Sequence, residues 1–345
     1  MTPEAERWFA ARSWQEPSWS VERLAPLKGR TRVSVVLPAL NEQDTIAPIV
    51  TALAPLAEPE GDRPPLVDEI VVLDSGSTDN TRERASWAGA SVVSREDVLT
   101  EFEPRAGKGE VLWRSLAAVS GDVLVFLDSD LVDFDAGFVP ALLGPLLTRP
   151  EPVLVKGFYR RPLRLPREGL QQAEGGGRVT ELLARPVLSS VRPDLAGVIQ
   201  PLGGEYAARR EFLEAVPFAP GYGVETGLLI DAYDRYGLDG LAQVNLGVRK
   251  HRNRGLLQLG VMSRQILAAA LSRTEGHPHP AEVPGGSGTE VSYTQFVQLE
   301  SEWVPHEQAI PTAERPPLRN LRESQTRGAG SRTPPDASDV RRTCW

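Results

Sequence analysis

The chain has 345 residues, enough for one large domain or two ordinary ones, and its 41% hydrophobic and 24% charged residues sit near the soluble globular average. Lys plus Arg is 38 against 46 for Asp plus Glu, a net charge of −8 that excludes a general nucleic-acid binder while permitting local basic patches. Its one cysteine, Cys344, excludes a disulfide framework, and no apolar run of membrane-span length or leader-like start is seen, so a soluble cytoplasmic protein without a membrane span is expected.

Residues 1–30 read as an N-terminal arm. RVSVVLPAL follows as a short, β-branched, buried strand ended by Pro38. NEQDTIAPIVTALAPL has Ile46, Ile49, Val50 and Leu53 at helical spacing, which predicts an amphipathic helix. A loop rich in Pro and Gly leads to a second strand, DEIVVLDSG, and then to a helix from Ser77 to Ala88. ASVVSR is a third short strand, GKGEVLWRSLAAVSG a helix closed by Gly121, and DVLVFLDSD a fourth strand.

Such alternation predicts parallel strands joined by right-handed crossovers, with ligands bound beyond the carboxyl ends of the strands. Pro38 to Glu42, Asp74 to Ser77 and Asp128 to Asp130 all fall at such ends. Residues 31–150 therefore read as a ligand-binding half.

Residues 151–275 are less regular. PVLVKGFYRRPL reads as a strand, and the glycine-rich EGGGRVTEL precedes a helix through Leu188. IQPLGGEYAARREFLEAV carries no clear assignment. FAPGYGVETGLLIDAYDRYG is a turn feeding a helix, LAQVNLGVRKHRNR a strand entering a loop, and LLQLGVMSRQILAAALSR an amphipathic helix. Over 276–345, Pro, Gly, Ser and Arg replace any period. A mostly disordered extension is expected there, ordered at most around Tyr293 to Trp303, and a chain cut after Pro305 is expected to keep its activity.

Three groups carry chemistry. Asp128-Ser129-Asp130, two carboxylates one residue apart at a strand's end, suit a divalent cation bridging a diphosphate, although Asp and Ser also end strands as simple turns. Asn41 and Glu42 can cap a helix, and Glu42 can also accept from a base or ribose. Asp74, Ser75, Gly76 and Ser77 offer an acid, hydroxyls and close backbone approach. No GxGxxG follows the first strand, so a nicotinamide enzyme is disfavoured. Only four lysines occur, Lys28, Lys108, Lys156 and Lys250, which draws attention to where each stands.

PALNE, LDSGSTD and LDSD in that order resemble the nucleotide half of GT-A glycosyltransferases, the last looking like their DXD signature. Together with RAGKGE, GGGRVTEL, QPLGGEYA, APGYGVE and VNLGVRKHRNR they closely resemble the glucosyl-3-phosphoglycerate synthases of actinobacteria, over Ser18 to Arg273. That resemblance implies an α/β fold of GT-A type: a Rossmann-like, mostly parallel sheet with a mixed acceptor-binding half. It implies transfer of glucose from UDP-glucose to the 2-hydroxyl of D-3-phosphoglycerate with retention, a first step of glucosylglycerate biosynthesis, in a homodimer. A mannosyl-3-phosphoglycerate synthase using GDP-mannose, from a related branch, and a polyprenyl-phosphate sugar transferase are the alternatives. The second would want a membrane-seated or basic amphipathic segment, and the sequence has neither.

The same resemblance assigns Pro38, Ala39, Leu40, Glu42 and Ser75 to uridine and ribose, and Lys108 to the uracil or the diphosphate. Asp128 and Ser129 join the donor site, Asp128 touching ribose and sugar. Asp130 and His251 would ligate Mg²⁺, for which Mn²⁺ can substitute; a carboxylate–imidazole pair is more comfortable for Mn²⁺. Gly177, Arg178, Val179 and Thr180, at a helix start, suit the acceptor's phosphate, with Asn253 beside them. Glu225 would accept from glucose hydroxyls, and the Leu202 backbone would lie beneath the anomeric carbon. No enzymic nucleophile is evident; Asp128 and Glu225 are the carboxylates to check for one.

Overall fold

A computed structural model describes residues 1–160, 163–164, 171–172, 177–248, 255–274 and 290–322. The strands are β1 (Ser13–Trp14), β2 (Val33–Ala39), β3 (Glu69–Asp74), β4 (Ser91–Ser94), β5 (Val123–Phe126), β6 (Leu154–Arg160), β7 (Leu163–Arg164), β8 (Gln171–Gln172), β9 (Tyr206–Arg209), β10 (Leu241–Val248), β11 (Glu290–Leu299) and β12 (Glu302–Pro311). The α-helices are α1 (Pro3–Arg12), α2 (Val21–Lys28), α3 (Ile46–Leu53), α4 (Thr81–Trp87), α5 (Lys108–Ala118), α6 (Phe138–Thr148), α7 (Arg185–Val191), α8 (Arg210–Leu213), α9 (Val224–Tyr236) and α10 (Leu256–Leu271).

Eight strands form one sheet in the order β1-β10-β6-β9-β5-β2-β3-β4. All neighbours are parallel except β9, which runs antiparallel to both β5 and β6. The central strands are largely apolar because helices cover both faces. One core layer packs α2, α3 and α6 on the sheet, and the other packs α5, α8 and α9.

The chain steps outward from β2 to β3 to β4, then returns to place β5 on the other side of β2. That reversal is where an α/β sheet opens a crevice at its carboxyl edge. Ala39 pairs with Asp74, and Val36 with Phe126, so the ends of β2, β3 and β5 meet. Pro38 extends β2 against Leu73 of β3 beyond the last β5 pairing, where its missing N–H costs no ladder bond on that side.

Four elements were hidden in the sequence. β9 lies inside the stretch with no assignment; its Tyr206, Ala207 and Ala208 are buried between β5 and β6. The α6 segment FVPALLGPLLT is buried on nearly every side, so its apolar period disappears, and Pro145 within it masks it further. The N-terminal arm contains α1 and α2, with Trp8 buried and its indole N–H donating to the Leu241 carbonyl at 3.0 Å.

The expected disordered extension is corrected over Glu290–Arg322. β11 and β12 form an antiparallel hairpin from Glu290↔Pro311 to Leu299↔Glu302. The chain after it returns to the core: Phe218 and Arg315 exchange both backbone hydrogen bonds at 2.9 Å, and Leu318 is buried. The Arg315 guanidinium bonds Glu110 at 2.6 and 2.8 Å and lies 5.0 Å from the Trp113 ring centre, while the Trp113 indole donates to the Pro316 carbonyl at 2.8 Å. Anchoring through single residues rather than an apolar stripe leaves no period to read.

Candidate active site

The converging ends of β2, β3 and β5 enclose a cleft of about 460 Å³. Pro38, Ala39, Leu40, Glu42, Ser75, Lys108, Asp128, Ser129 and Asp130 line it, together with Arg95, Ala106, Gly107, Val111 and Tyr222. The loops wire one another in place. The buried Asp74 carboxylate accepts from the N–H groups of Gly76 and Ser77 at 3.1 and 3.2 Å, closing the LDSGS turn. Asn41 bridges the first two loops: its N–H donates to Ser77 Oγ at 2.9 Å and its side-chain oxygen accepts from the Thr78 N–H at 2.9 Å. Thr45 Oγ1 donates to the Ser129 carbonyl at 2.6 Å, and the Ser129 hydroxyl donates to the Pro38 carbonyl. The Asp-Ser-Asp turn is thereby fixed to the end of β2.

At the inner end of the cleft Lys108, the first residue of α5, reaches two carboxylates. Its Nζ lies 2.5 Å from Asp128 Oδ1 and 2.7 Å from Glu225 Oε1, with all three side chains largely buried. Burial opposes the Lys108 charge, yet Asp128 and Glu225 outweigh it and hold the pKa well above the ordinary lysine value. The trio comes from α5, the end of β5 and the first turn of α9, segments far apart in sequence.

The loop before β9 passes directly under Asp128. A Cβ on Gly204 would fall against both Asp128 carboxylate oxygens, so only glycine lets the backbone approach so closely. Leu202, half-buried, packs against the small cluster of Val179, Ala184 and Ile266. Gly177 has a φ of +83°, Arg178 is exposed and begins a helix, and Val179 and Thr180 are buried. From Thr180 to Ala184 that helix takes a π-helical turn, a form found often at functional sites. The Gly177–Thr180 segment thus stands next to Leu202, and Leu202 next to the Asp128 floor. His251 and Asn253, with Arg249, Lys250, Arg252 and Arg254, lie outside the described residues.

Comparison with known proteins places this geometry. The model of glycosyl transferase family 2 matches residues 34–194. A glucosyl-3-phosphoglycerate synthase of Mycolicibacterium smegmatis is 56% identical over 316 residues, 92% of this chain and 98% of that protein. The chain belongs to the glucosyl-3-phosphoglycerate synthases. A more distant synthase, from Petrotoga mobilis, is 40% identical over 88% of this chain and 92% of its own length. The Mycobacterium tuberculosis synthase in complex with Mn²⁺, UDP-glucose and phosphoglyceric acid is 51% identical, with a TM-score of 0.76 over 90% of this chain and 98% of that one. The same synthase has also been solved with Mg²⁺ and UDP, at a TM-score of 0.77.

Against this synthase background, a metal ion is expected, and the donor set can be tested for one. Among the described residues no group of three or more His, Cys, Asp or Glu side chains could hold an ion by itself. Asp130, half-buried on the cleft wall, offers one hard carboxylate to such an ion. One protein carboxylate beside a diphosphate fits Mg²⁺ or Mn²⁺.

Three residues with polar side chains in or against the site escaped the sequence reading. Tyr222 sits in the APGYGVE block, three positions before Glu225; its N–H donates to Gln265 of α10 at 3.0 Å. Arg95 follows β4, so the rule about strand ends pointed to it, but the short strand obscured the boundary. Lys156, a lysine in the apolar run of β6, was noticed only as one of four; it is buried, and its Nζ donates to the Gly203 carbonyl at 2.5 Å.

Proposed function

We propose that the chain transfers glucose from UDP-glucose to the 2-hydroxyl of D-3-phosphoglycerate, with retention, Mg²⁺ or Mn²⁺ neutralising the donor's diphosphate. The observation that carries this reading is the single cleft that gathers all three nucleotide loops above the Lys108–Asp128–Glu225 trio. Uridine and ribose lie along Pro38–Leu40, Glu42 and Ser75. Asp130 and His251 hold the metal, which supplies positive charge where the leaving diphosphate develops its own. Asp128 and Glu225 accept from the sugar's hydroxyls, and the Leu202 backbone lies beneath its anomeric carbon.

Given retention, the placement of the charges selects the route. Each carboxylate near the sugar is bonded to the Lys108 ammonium, which makes it a poor nucleophile. The anomeric carbon therefore exchanges its bond to the diphosphate oxygen for one to the acceptor's 2-hydroxyl oxygen on the same face, and the departing phosphate takes the hydroxyl proton. Lys108 stays charged and fixes both carboxylates during the exchange. Trapping of a glucosyl adduct on Asp128 or Glu225 would replace this route by a two-step one.

The acceptor's phosphate binds at Gly177–Thr180, and Asn253 is a further residue for the acceptor. A charge-assisted hydrogen bond is worth about 1.5–3 kcal/mol, so Arg178→Ala raises the KM for 3-phosphoglycerate about ten- to hundredfold and leaves that for UDP-glucose nearly unchanged. Steady-state kinetics with each substrate varied in turn reads this; equal changes in both would move Arg178 out of the acceptor site.

Among the described residues no helix is long and apolar enough to cross a membrane, and we place the enzyme in the cytoplasm as a homodimer. Phe296, Leu299 and Trp303 of the hairpin are 62%, 60% and 67% exposed, apolar surface that a second copy would cover; sedimentation equilibrium reads the mass. The activity itself is tested by UDP release from UDP-glucose in the presence of 3-phosphoglycerate and Mg²⁺ or Mn²⁺, with GDP-mannose as the competing donor. No release from any sugar nucleotide would refute the reading.

A further inference from the structure

Lys156 stands outside the cleft wall, on β6, yet it is one of the most thoroughly enclosed charges in the molecule, 3% exposed. Its ammonium donates to the Gly203 carbonyl at 2.5 Å and lies 4.9 Å from the centre of the Tyr206 ring, a geometry that favours the charged form. The next residue of β6, Gly157, donates its N–H to the Glu205 carbonyl at 2.8 Å. The loop from Leu202 to Glu205 is therefore held to β6 at two points, one by backbone and one by Lys156. On its other side the same loop is pressed against Asp128, with no room for a Cβ on Gly204.

From this we infer that Lys156 is a positioning residue for sugar transfer: its ammonium, through the Gly203 carbonyl, sets the height of the Leu202–Gly204 backbone against Asp128. The inference rests on the transferase reading above, in which that backbone lies under the anomeric carbon. Within the loop itself, Leu202 to Glu205, there is no side-chain cation to take over the role. Lys108 is already committed to Asp128 and Glu225.

The groups facing Lys156 are Glu225 from α9, Lys108 from α5, Glu205 and Tyr206 at the start of β9, and Asp128 after β5. Burial pulls its pKa down, Lys108 adds to that, and the three carboxylates only partly restore it, leaving a value of about 8. The ammonium that grips Gly203 is lost as pH rises through that value. Because the folded value is below that of an exposed lysine, the unfolded chain binds more protons between the two, and deprotonation of Lys156 stabilises the fold there. Loss of activity in that range is then not loss of structure at this residue. Lys108, held above its ordinary value, keeps its charge across the same range.

The test is Lys156→Met, which keeps the length and removes both the charge and the donor. The expected kcat is about 10- to 100-fold lower, while the affinity for UDP, measured by calorimetry with Mn²⁺ present, and the KM for UDP-glucose change less than about threefold. The wild-type kcat/KM falls on the alkaline side with a midpoint near 8, and the variant's does not. A kcat within about threefold of wild type, or a parallel loss of kcat and UDP affinity, overturns the inference. If the variant does not fold, the wild-type profile decides: a kcat/KM flat from neutral pH through the range where Lys156 titrates also overturns it. A wild-type enzyme that binds UDP but turns over no sugar nucleotide would instead fail the proposed function.

Discussion

A chain ending after Pro305 melts at least about 10 °C lower than the full chain and loses most of its turnover, whereas one ending after Arg322 keeps both. The cut removes Ile310, Arg315 and Leu318, each buried. It also strips Glu110, buried on the first turn of α5, of its bonds to Arg315 at 2.6 and 2.8 Å, leaving Arg114 at 2.6 Å as the remaining side-chain cation on it. Breaking a buried ion network costs about 3–5 kcal/mol, and losing a buried leucine about 2–5 more. That sum is comparable with the whole stability of many domains, about 5–15 kcal/mol. Activity follows because Glu110 is two residues from Lys108: loosening α5 at its start loosens the cation of the site. Thermal scans of the two truncated chains beside the full one read the effect. An unchanged melting temperature for the shorter chain would show that the strap after the hairpin contributes little.

Lys108→Met lowers kcat/KM for UDP-glucose by about two to three orders of magnitude. Asp128 and Glu225 then face one another without the ammonium that lies 2.5 and 2.7 Å from them. Two carboxylates so placed cannot both stay ionised, and one takes up a proton. A protonated member can no longer accept fully from the sugar's hydroxyls, so the residual rate of the variant rises with pH as that proton leaves. In the wild type the raised Lys108 pKa makes the ion trio's contribution fully present below the ordinary lysine value, and it is lost only as pH rises through the higher folded one. The trio is therefore intact at neutral pH, and the wild type lacks this rising limb. Rate–pH profiles of both proteins decide the matter; a variant whose profile merely scales down from the wild type would remove the carboxylate pair from the explanation.

The first half of the molecule was legible because its elements obey local rules. Short β-branched runs, each followed by a helix, dictate parallel strands, and that topology alone brings Pro38–Glu42, Asp74–Ser77 and Asp128–Asp130 to one edge. The scarcity of lysine likewise singled out Lys108 before its partners were known. What the sequence could not tell is which distant segments share an interior. β9 is the short run Tyr-Ala-Ala-Arg, whose strand form comes from being clamped between β5 and β6, not from its own propensity. The same holds for Lys156, whose meaning depends on a carbonyl 47 positions along the chain. It holds again for Arg315, which meets Glu110 across 205 positions with no period to announce it. Local pattern determined the sheet and its functional edge; the buried cations that hold the floor of the site together were decided only by tertiary packing, because a charge is stable inside a protein only where the fold brings it a partner.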